Sequence, residues 1–535
     1  MKKTLSLLLC AALLLTLLAA CGSAPAASSG GSEFRLQGEE LRVEADTADN
    51  ARVFYEIFVG SFSDSDGDGV GDLRGIIKRM DYLNDGDANS GLSLGVEGLW
   101  LSPIFLSPSY HKYDVTDYYT VDPAFGTEAD LRELVELCHE RNVKLILDLV
   151  INHSGDRNQW FLSFAEAHRQ GDTDSPFYDF YSWCGPGREA RPGCRYAAIS
   201  GSGDSYECNF DTSMPEFNYD DPAVRQAVLE LAEYYLDLGV DGFRFDAAKY
   251  VYYGDNARSA AFWDWYLAEL RAYKPDIYTV AEVWDDDYVT DVYYSATNCF
   301  NFTVSQAEGL IASAVKGGGA GDYTAYVEAY LDGIRDKNPD AMMIPFIANH
   351  DTDRAAGYLG VDNGQMKLAA NLYILSSGSP FLYYGEELGM RGSRGGEPTD
   401  ANRRLAMLWG DGDTVKDPVG SSYRQQTGRS AAEQTADADS LYNYYKRLIL
   451  IRKANPAIAR GDYTAWASDD GRLGGFYASW QGETVMVIHN TSLSPASVDL
   501  AELGVTELRA FIGVNEASVD GAKLTLGAQT SAVLR

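Results

Sequence analysis

Basic residues are scarce in this chain of 535 residues: 44 Lys and Arg stand against 78 Asp and Glu, a formal net charge of −34. So acidic a surface argues against nucleic acid or anionic lipid as a partner and says little about a neutral one. Histidine is also scarce, with six in all, so His153 and His350, both at the ends of apolar runs, stand out. The apolar run Leu5–Leu18 is shorter than the ~20 residues a membrane span needs. With Lys2 and Lys3 before it, it has the shape of a secretory signal, left out of fold reasoning. Loss of those two lysines takes the charge from −34 to −36. No glycine-rich dinucleotide fingerprint follows the first strand-like run, which counts against a doubly wound open sheet. Of seven cysteines, Cys10 and Cys21 belong to the signal region. Cys184, Cys194 and Cys208 cluster together and allow one disulfide whose pairing spacing does not assign. Cys138, on a helix, and Cys299, on a strand, read as buried thiols.

With 45% hydrophobic residues, the chain can bury a large core in two or three domains. Strand-like runs fall at 53–60, 96–103, 143–153, 239–247, 277–284, 299–304, 342–351 and 380–387. Helical periodicity fills gaps between them, as at 128–142, 222–238, 260–273 and 365–377. Eight strands alternating with helices over roughly 400 residues predict an α/β fold, a (β/α)8 TIM barrel carrying insertions. Residues 154–221, after the third strand, are rich in Gly, Asp, Ser, Tyr and Phe, and so long a loop is expected to be a functional subdomain. After a helix at 440–453, short alternating runs at 474–480 and 484–489 predict an antiparallel β domain. The expected organisation is a signal (1–20), a tether (21–47), the barrel (48–153 and 222–455), the insertion (154–221) and a C-terminal β domain (456–535).

Three acids close three of the apolar runs. Asp246 ends Gly-Phe-Arg-Phe-Asp, Glu282 follows Tyr-Thr-Val-Ala, and Asp351 follows Ile-Pro-Phe-Ile-Ala-Asn-His. Parallel barrel strands bring such ends to one rim, where active sites lie. Three rim carboxylates, with Arg244 and His350 beside two of them, point to carboxylate chemistry on a sugar.

The motifs Asp148-Leu-Val-Ile-Asn-His153, Gly242-Phe-Arg-Phe-Asp-Ala-Ala-Lys249, Glu282-Val-Trp284 and Asn349-His-Asp351 occur in that order. With Gly98–Pro103, Met214–Asn218 and Gly378–Glu387, they make the chain over roughly residues 50–535 resemble the α-amylase family of glycoside hydrolases. The resemblance implies that Asp246 is the nucleophile, Glu282 the general acid/base, and Asp351 a sugar-binding acid that helps set the proton affinity of Glu282. Arg244 shares a strand face with Asp246 and is expected to keep it ionised. The family pattern further implies substrate contacts from Tyr113, Asp114, His153, Lys249, His350 and, by a looser match, Arg404. Ala247 stands where oligo-1,6-glucosidases usually carry Val, and Met214–Asn218 lacks their leading Gln. That favours α-1,4 bonds of starch or maltooligosaccharides. An oligo-1,6-glucosidase, α-glucosidase or transglycosylase of the same family, and more remotely a non-catalytic glycan-binding lipoprotein, are the alternatives.

Asp64, Asp66, Asp68 and Asp72 alternate with other residues as hard oxygen ligands, Val70 adding its carbonyl, and resemble a Ca2+ loop. Gly75 at the twelfth position excludes an EF-hand. A second family calcium site would use Asn152, Glu216 (where Asp is usual) and the carbonyl of Tyr250 (where His is usual). Leu-Ala-Ala-Cys-Gly at 18–22 resembles a bacterial lipobox, which implies lipidation at Cys21, a Gly/Ser/Ala/Pro-rich tether and an extracytoplasmic, membrane-anchored monomer.

Overall fold

The computed structural model describes residues 34–36, 41–44, 49–394, 399–426 and 428–535. The signal and Cys21 lie outside the described residues. One stretch of the expected tether is paired: Phe34–Leu36 runs antiparallel to Leu508–Gly513 at the edge of the C-terminal sheet. An edge strand offers unpaired amides and carbonyls to any nearby chain. Among the described residues no helix is long and apolar enough to cross a membrane.

Seven parallel strands form the barrel wall. In chain order they are β1 (Phe54–Ile57), β2 (Gly98–Leu101), β3 (Lys144–Leu149), β4 (Gly242–Phe245), β5 (Tyr278–Ala281), β6 (Asn298–Cys299) and β7 (Phe381–Tyr383). Around the wall the order is β6-β5-β4-β3-β2-β1-β7. Two of the eight expected strands differ. The run at 299–304 is in regular strand only at Cys299, then bridges to Ile344 through Phe300 and turns. The run at 342–351 forms no regular strand, yet it closes the ring. The Asn301 amide donates to the Ile344 carbonyl at 3.0 Å, and the Phe381 amide donates to the Pro345 carbonyl at 3.0 Å. Pro345 has no N–H to give in return, so the ladder breaks there.

Period-two alternation builds the interior. Phe54, Trp100, Ile146, Val280, Phe300, Phe346 and Phe381 fill it as one apolar cluster, with Phe54 stacked on Phe381 at 4.6 Å. A Cβ at Gly98 would stand 2.4 Å from the Phe54 ring, so that filling requires glycine there. Two residues further along each strand the inward positions change character, to Glu56 after Phe54, Asp148 after Ile146, Arg244 after Gly242 and Glu282 after Val280. Outward residues such as Leu145, Leu147, Phe243 and Phe245 join the main core, each burial being worth about 1.5–3 kcal/mol.

The surrounding helices carry the expected caps. Thr127 and Asp130 form a capping box on Glu128–Glu140, and Asp221 caps Pro222–Asp237. The helix predicted at 260–273 starts earlier, at Asn256, capped by Asp255. The insertion contains helix Gln159–Gln170 and a small antiparallel sheet of Trp183–Cys184, Ser205–Glu207 and Tyr196–Ala198. Cys184, Cys194 and Cys208 are free thiols, so the disulfide their number allows is not formed. Beyond helix Leu441–Lys453 lies a six-stranded antiparallel sheet with a separate core built on Met486, Ile488, Phe511 and Leu534.

Candidate active site

Strand pairing sets Arg244 of β4 directly beside Asp148 of β3 and Val280 of β5. The buried guanidinium therefore reaches carboxylates on both sides. Arg244 Nη1 lies 2.8 Å from Asp148 Oδ1 and 2.7 Å from Asp246 Oδ1, and its Nη2 lies 3.1 Å from Glu282 Oε2. Glu282 Oε2 also accepts the Ala247 amide at 3.0 Å. Burial pushes the carboxyls of Asp246 and Glu282 above the ordinary range; Arg244 opposes this, and the Asp351 charge adds to it. Burial likewise pushes Asp148 up to about 7. One cation, Arg244, thus serves three buried carboxylates and opposes the effect of burial on each. Arg244 Nη1 is shared between Asp148 and Asp246, while Nη2 faces Glu282.

Asp351 has its own cations. Arg404 Nη2 lies 2.6 Å from Oδ1, and His350 Nε2 lies 2.9 Å from Oδ2. Burial works against its charge, yet His350, Arg404 and Arg244 hold its carboxyl far below the usual range. His350 is fully buried with Nδ1 2.6 Å from Glu56 Oε1. Burial lowers its pKa, but Asp351 and Glu56 outweigh that and hold the imidazolium at about 10. The ring is thus a cation at neutral pH, with both nitrogens donating.

Tyr113 stacks on His350 with the planes 10° apart, and its hydroxyl donates to Asp148 Oδ2 at 2.8 Å. Asp114 accepts the Ser107 hydroxyl at 2.7 Å. Burial depresses His153 to about 4, so it is neutral, and its buried Nε2 has no protein partner. Lys249 Nζ donates to the Trp284 carbonyl at 2.6 Å and meets Asp285 at 2.9 Å. The structure thus gathers Asp246, Glu282, Asp351, Arg244, His350, Arg404 and Tyr113 into one contact network.

Asp148, Glu56 and Tyr110 belong to this site and were given no role from sequence. Tyr110 accepts from Arg404 Nη1 at 3.3 Å. Glu56 left a signal, an acid in phase with Phe54 inside a strand buried on both faces. Such a charge survives only with a partner.

The loop after β1 gathers carboxylate oxygens of Asp64, Asp66 and Asp72 within 4.8 Å of one another. Asp68, expected among the ligands, stands outside this group and accepts the Val70 amide at 2.7 Å. Three convergent acids fit a hard divalent cation. For the second set, buried Asn152 Oδ1 has no partner, whereas both Glu216 oxygens already accept from Asn209, at 3.0 and 2.8 Å. Burial, with the charge of Glu207, pushes Glu216 up to about 8. Tyr250 packs edge-on against Phe210 at 4.9 Å.

Comparison with known proteins bears on this site. A model of the α-amylase catalytic domain matches residues 56–461. The chain is 35% identical over 449 residues to α-amylase 3 of Dictyoglomus thermophilum, covering 82% of this chain and 84% of that one. It is 29% identical to an oligo-1,6-glucosidase of Parageobacillus thermoglucosidasius, covering 82% and 90%. Among solved structures, Eubacterium rectale Amy13B superposes with a TM-score of 0.84 at 34% identity, covering 91% and 96%. An α-amylase from H. orenii gives 0.78 at 34%, covering 91% and 99%.

Proposed function

Because the chain belongs to the α-amylase family, we propose that it hydrolyses α-1,4-glucosidic bonds of starch or maltooligosaccharides with retention of configuration. The observation that carries this is Arg244 shared between Asp246 and Glu282. It holds two carboxyls as neighbours, compatible with the about 5–5.5 Å of a retaining pair. Asp246 attacks the anomeric carbon. Glu282 gives its proton to the leaving oxygen, then takes one from water as the glycosyl ester is cleaved. Asp351, held anionic by Arg404 and His350, accepts sugar hydroxyls as positive charge develops on the ring.

The acids Asp64, Asp66 and Asp72 would hold Ca2+, which supplies charge compensation and stiffness to the loop after β1. The leader and lipobox-like Cys21 support an enzyme tethered outside the cell by lipid.

The test is a substrate panel of amylose, maltotriose, isomaltose and pullulan with products followed by chromatography. Faster turnover of the α-1,4 substrates is expected. Isomaltose cleaved faster than all of them would make this an oligo-1,6-glucosidase.

A further inference from the structure

The acidic loop at 64–72 is linked to Asp351 indirectly, through two routes, and one of them uses side chains that the reaction itself does not need. Thr414 Oγ1 donates to Asp64 Oδ2 at 2.6 Å. Asp413, its side chain almost fully buried, accepts the Asp64 amide at 3.1 Å and the Ser63 hydroxyl at 2.6 Å. It also meets Arg79 Nη2 at 2.7 Å. Arg79 in turn lies 4.0 Å over the Trp409 ring. The Lys416 amide donates to the Gly69 carbonyl at 2.9 Å, and the Met407 amide to the Ser61 carbonyl at 2.8 Å. The segment so fastened, 407–416, follows Arg404 directly, whose Nη2 holds Asp351. At the other end, the loop continues from β1, whose Glu56 holds His350.

We propose that Thr414 and Asp413 are positioning residues that transmit cation binding at the Asp64 loop to the Arg404–Asp351 pair. The proposal rests on the calcium reading above. Three carboxylates whose oxygens lie within 4.8 Å repel one another unless a cation lies among them. Asp64 is the most buried of the three, its oxygens already taking the amides of Asp66, Gly67 and Gly69, so a change of charge in the loop loads a carboxylate that is fixed on its own side. It is also the one gripped from outside the loop, by a hydroxyl on a charged oxygen, one of the stronger kinds of hydrogen bond. A shift of Asp64 moves Thr414, and the chain from there back to Arg404 is short and pinned to residues 61–63. Asp351 contacts the sugar most closely as charge develops, so the effect falls on kcat rather than KM.

The experiment compares wild type with Thr414→Val, Thr414→Ser and Asp413→Asn, calcium-loaded and chelated, well below the unfolding temperature of each. Calcium affinity is read by titration calorimetry, Tm by scanning, and kcat and KM on maltotriose. Wild type should bind calcium, and chelation should lower its kcat about 3- to 10-fold with little change in KM. Thr414→Val and Asp413→Asn should still bind calcium but already show the lowered kcat, with no further loss on chelation. Thr414→Ser keeps the hydroxyl and should match wild type. Calcium binding with a kcat response to chelation as large in Thr414→Val as in wild type overturns the coupling and leaves the metal site standing. No calcium binding by wild type overturns both.

Discussion

The amide of Ala247 donates to Glu282 Oε2 at 3.0 Å, and it does so from a left-handed backbone conformation, φ 49°. That region is uncommon for residues other than glycine and costly for β-branched ones. Ala247, next to Asp246, thus orients Glu282, and the placement of one carboxyl fixes the other.

Ala247→Val should therefore both strain the turn and crowd the scissile bond. We expect kcat/KM on maltotriose to fall on the order of tenfold, with a smaller loss on isomaltose and a lower Tm. Ala247→Gly adopts the same φ freely and should lose less. Steady-state kinetics and thermal scans of both variants check this; wild-type kinetics in Ala247→Val would contradict it.

Glu56 keeps His350 charged, so Glu56→Gln should move the alkaline limb of activity to lower pH. The sign follows from the cause: removing an anion 2.6 Å from Nδ1 lowers a pKa now held at about 10. Once His350 is neutral, Asp351 loses a cation and a donor. A kcat/KM–pH profile is the measurement, and an unmoved alkaline limb speaks against the role of Glu56.

Glu386 gives a stability prediction away from the reaction. It is buried, accepts the hydroxyls of Tyr373 and Tyr445 at 2.6 and 2.9 Å, and has one oxygen without a partner. Burial pushes it up to about 7, above about 4.3 in an unfolded chain. A group raised on folding contributes stability that is present below its unfolded pKa and lost as pH rises through the folded one. Glu386→Gln does not titrate, so its Tm relative to wild type should rise between pH 5 and pH 8. A difference that stays flat or falls across that window refutes the assignment.

Much of this site was legible in the sequence because barrel topology is local and repetitive. Asp246, Glu282 and Asp351 each end an apolar run, and parallel strands do the rest. What escaped was set by register and by loops. Asp148 needed the pairing of β3 with β4 to be seen beside Arg244. The run at 342–351 looked like a strand by composition, but Pro345 removes a ladder donor, and the segment closes the barrel with few bonds. Asp68 kept the spacing of a ligand, yet its carboxylate stands outside the cluster of Asp64, Asp66 and Asp72.

That last difference separates substitutions the sequence treats alike. Asp64→Ala or Asp72→Ala should abolish the rise in Tm that calcium brings, since a ligand bound only to the folded state stabilises it by mass action. Asp68→Ala should retain most of it. Thermal scans with calcium and with chelator decide the matter; equal loss in all three variants would restore Asp68 to the ligand set.

The claim that Asp246 and Glu282 act as a retaining pair is tested most directly by proton NMR of the first product formed from a maltooligosaccharide. Double displacement at an α-linkage predicts that the α-anomer of the new reducing end appears first, and the β-anomer only later by mutarotation. First appearance of the β-anomer would contradict the account.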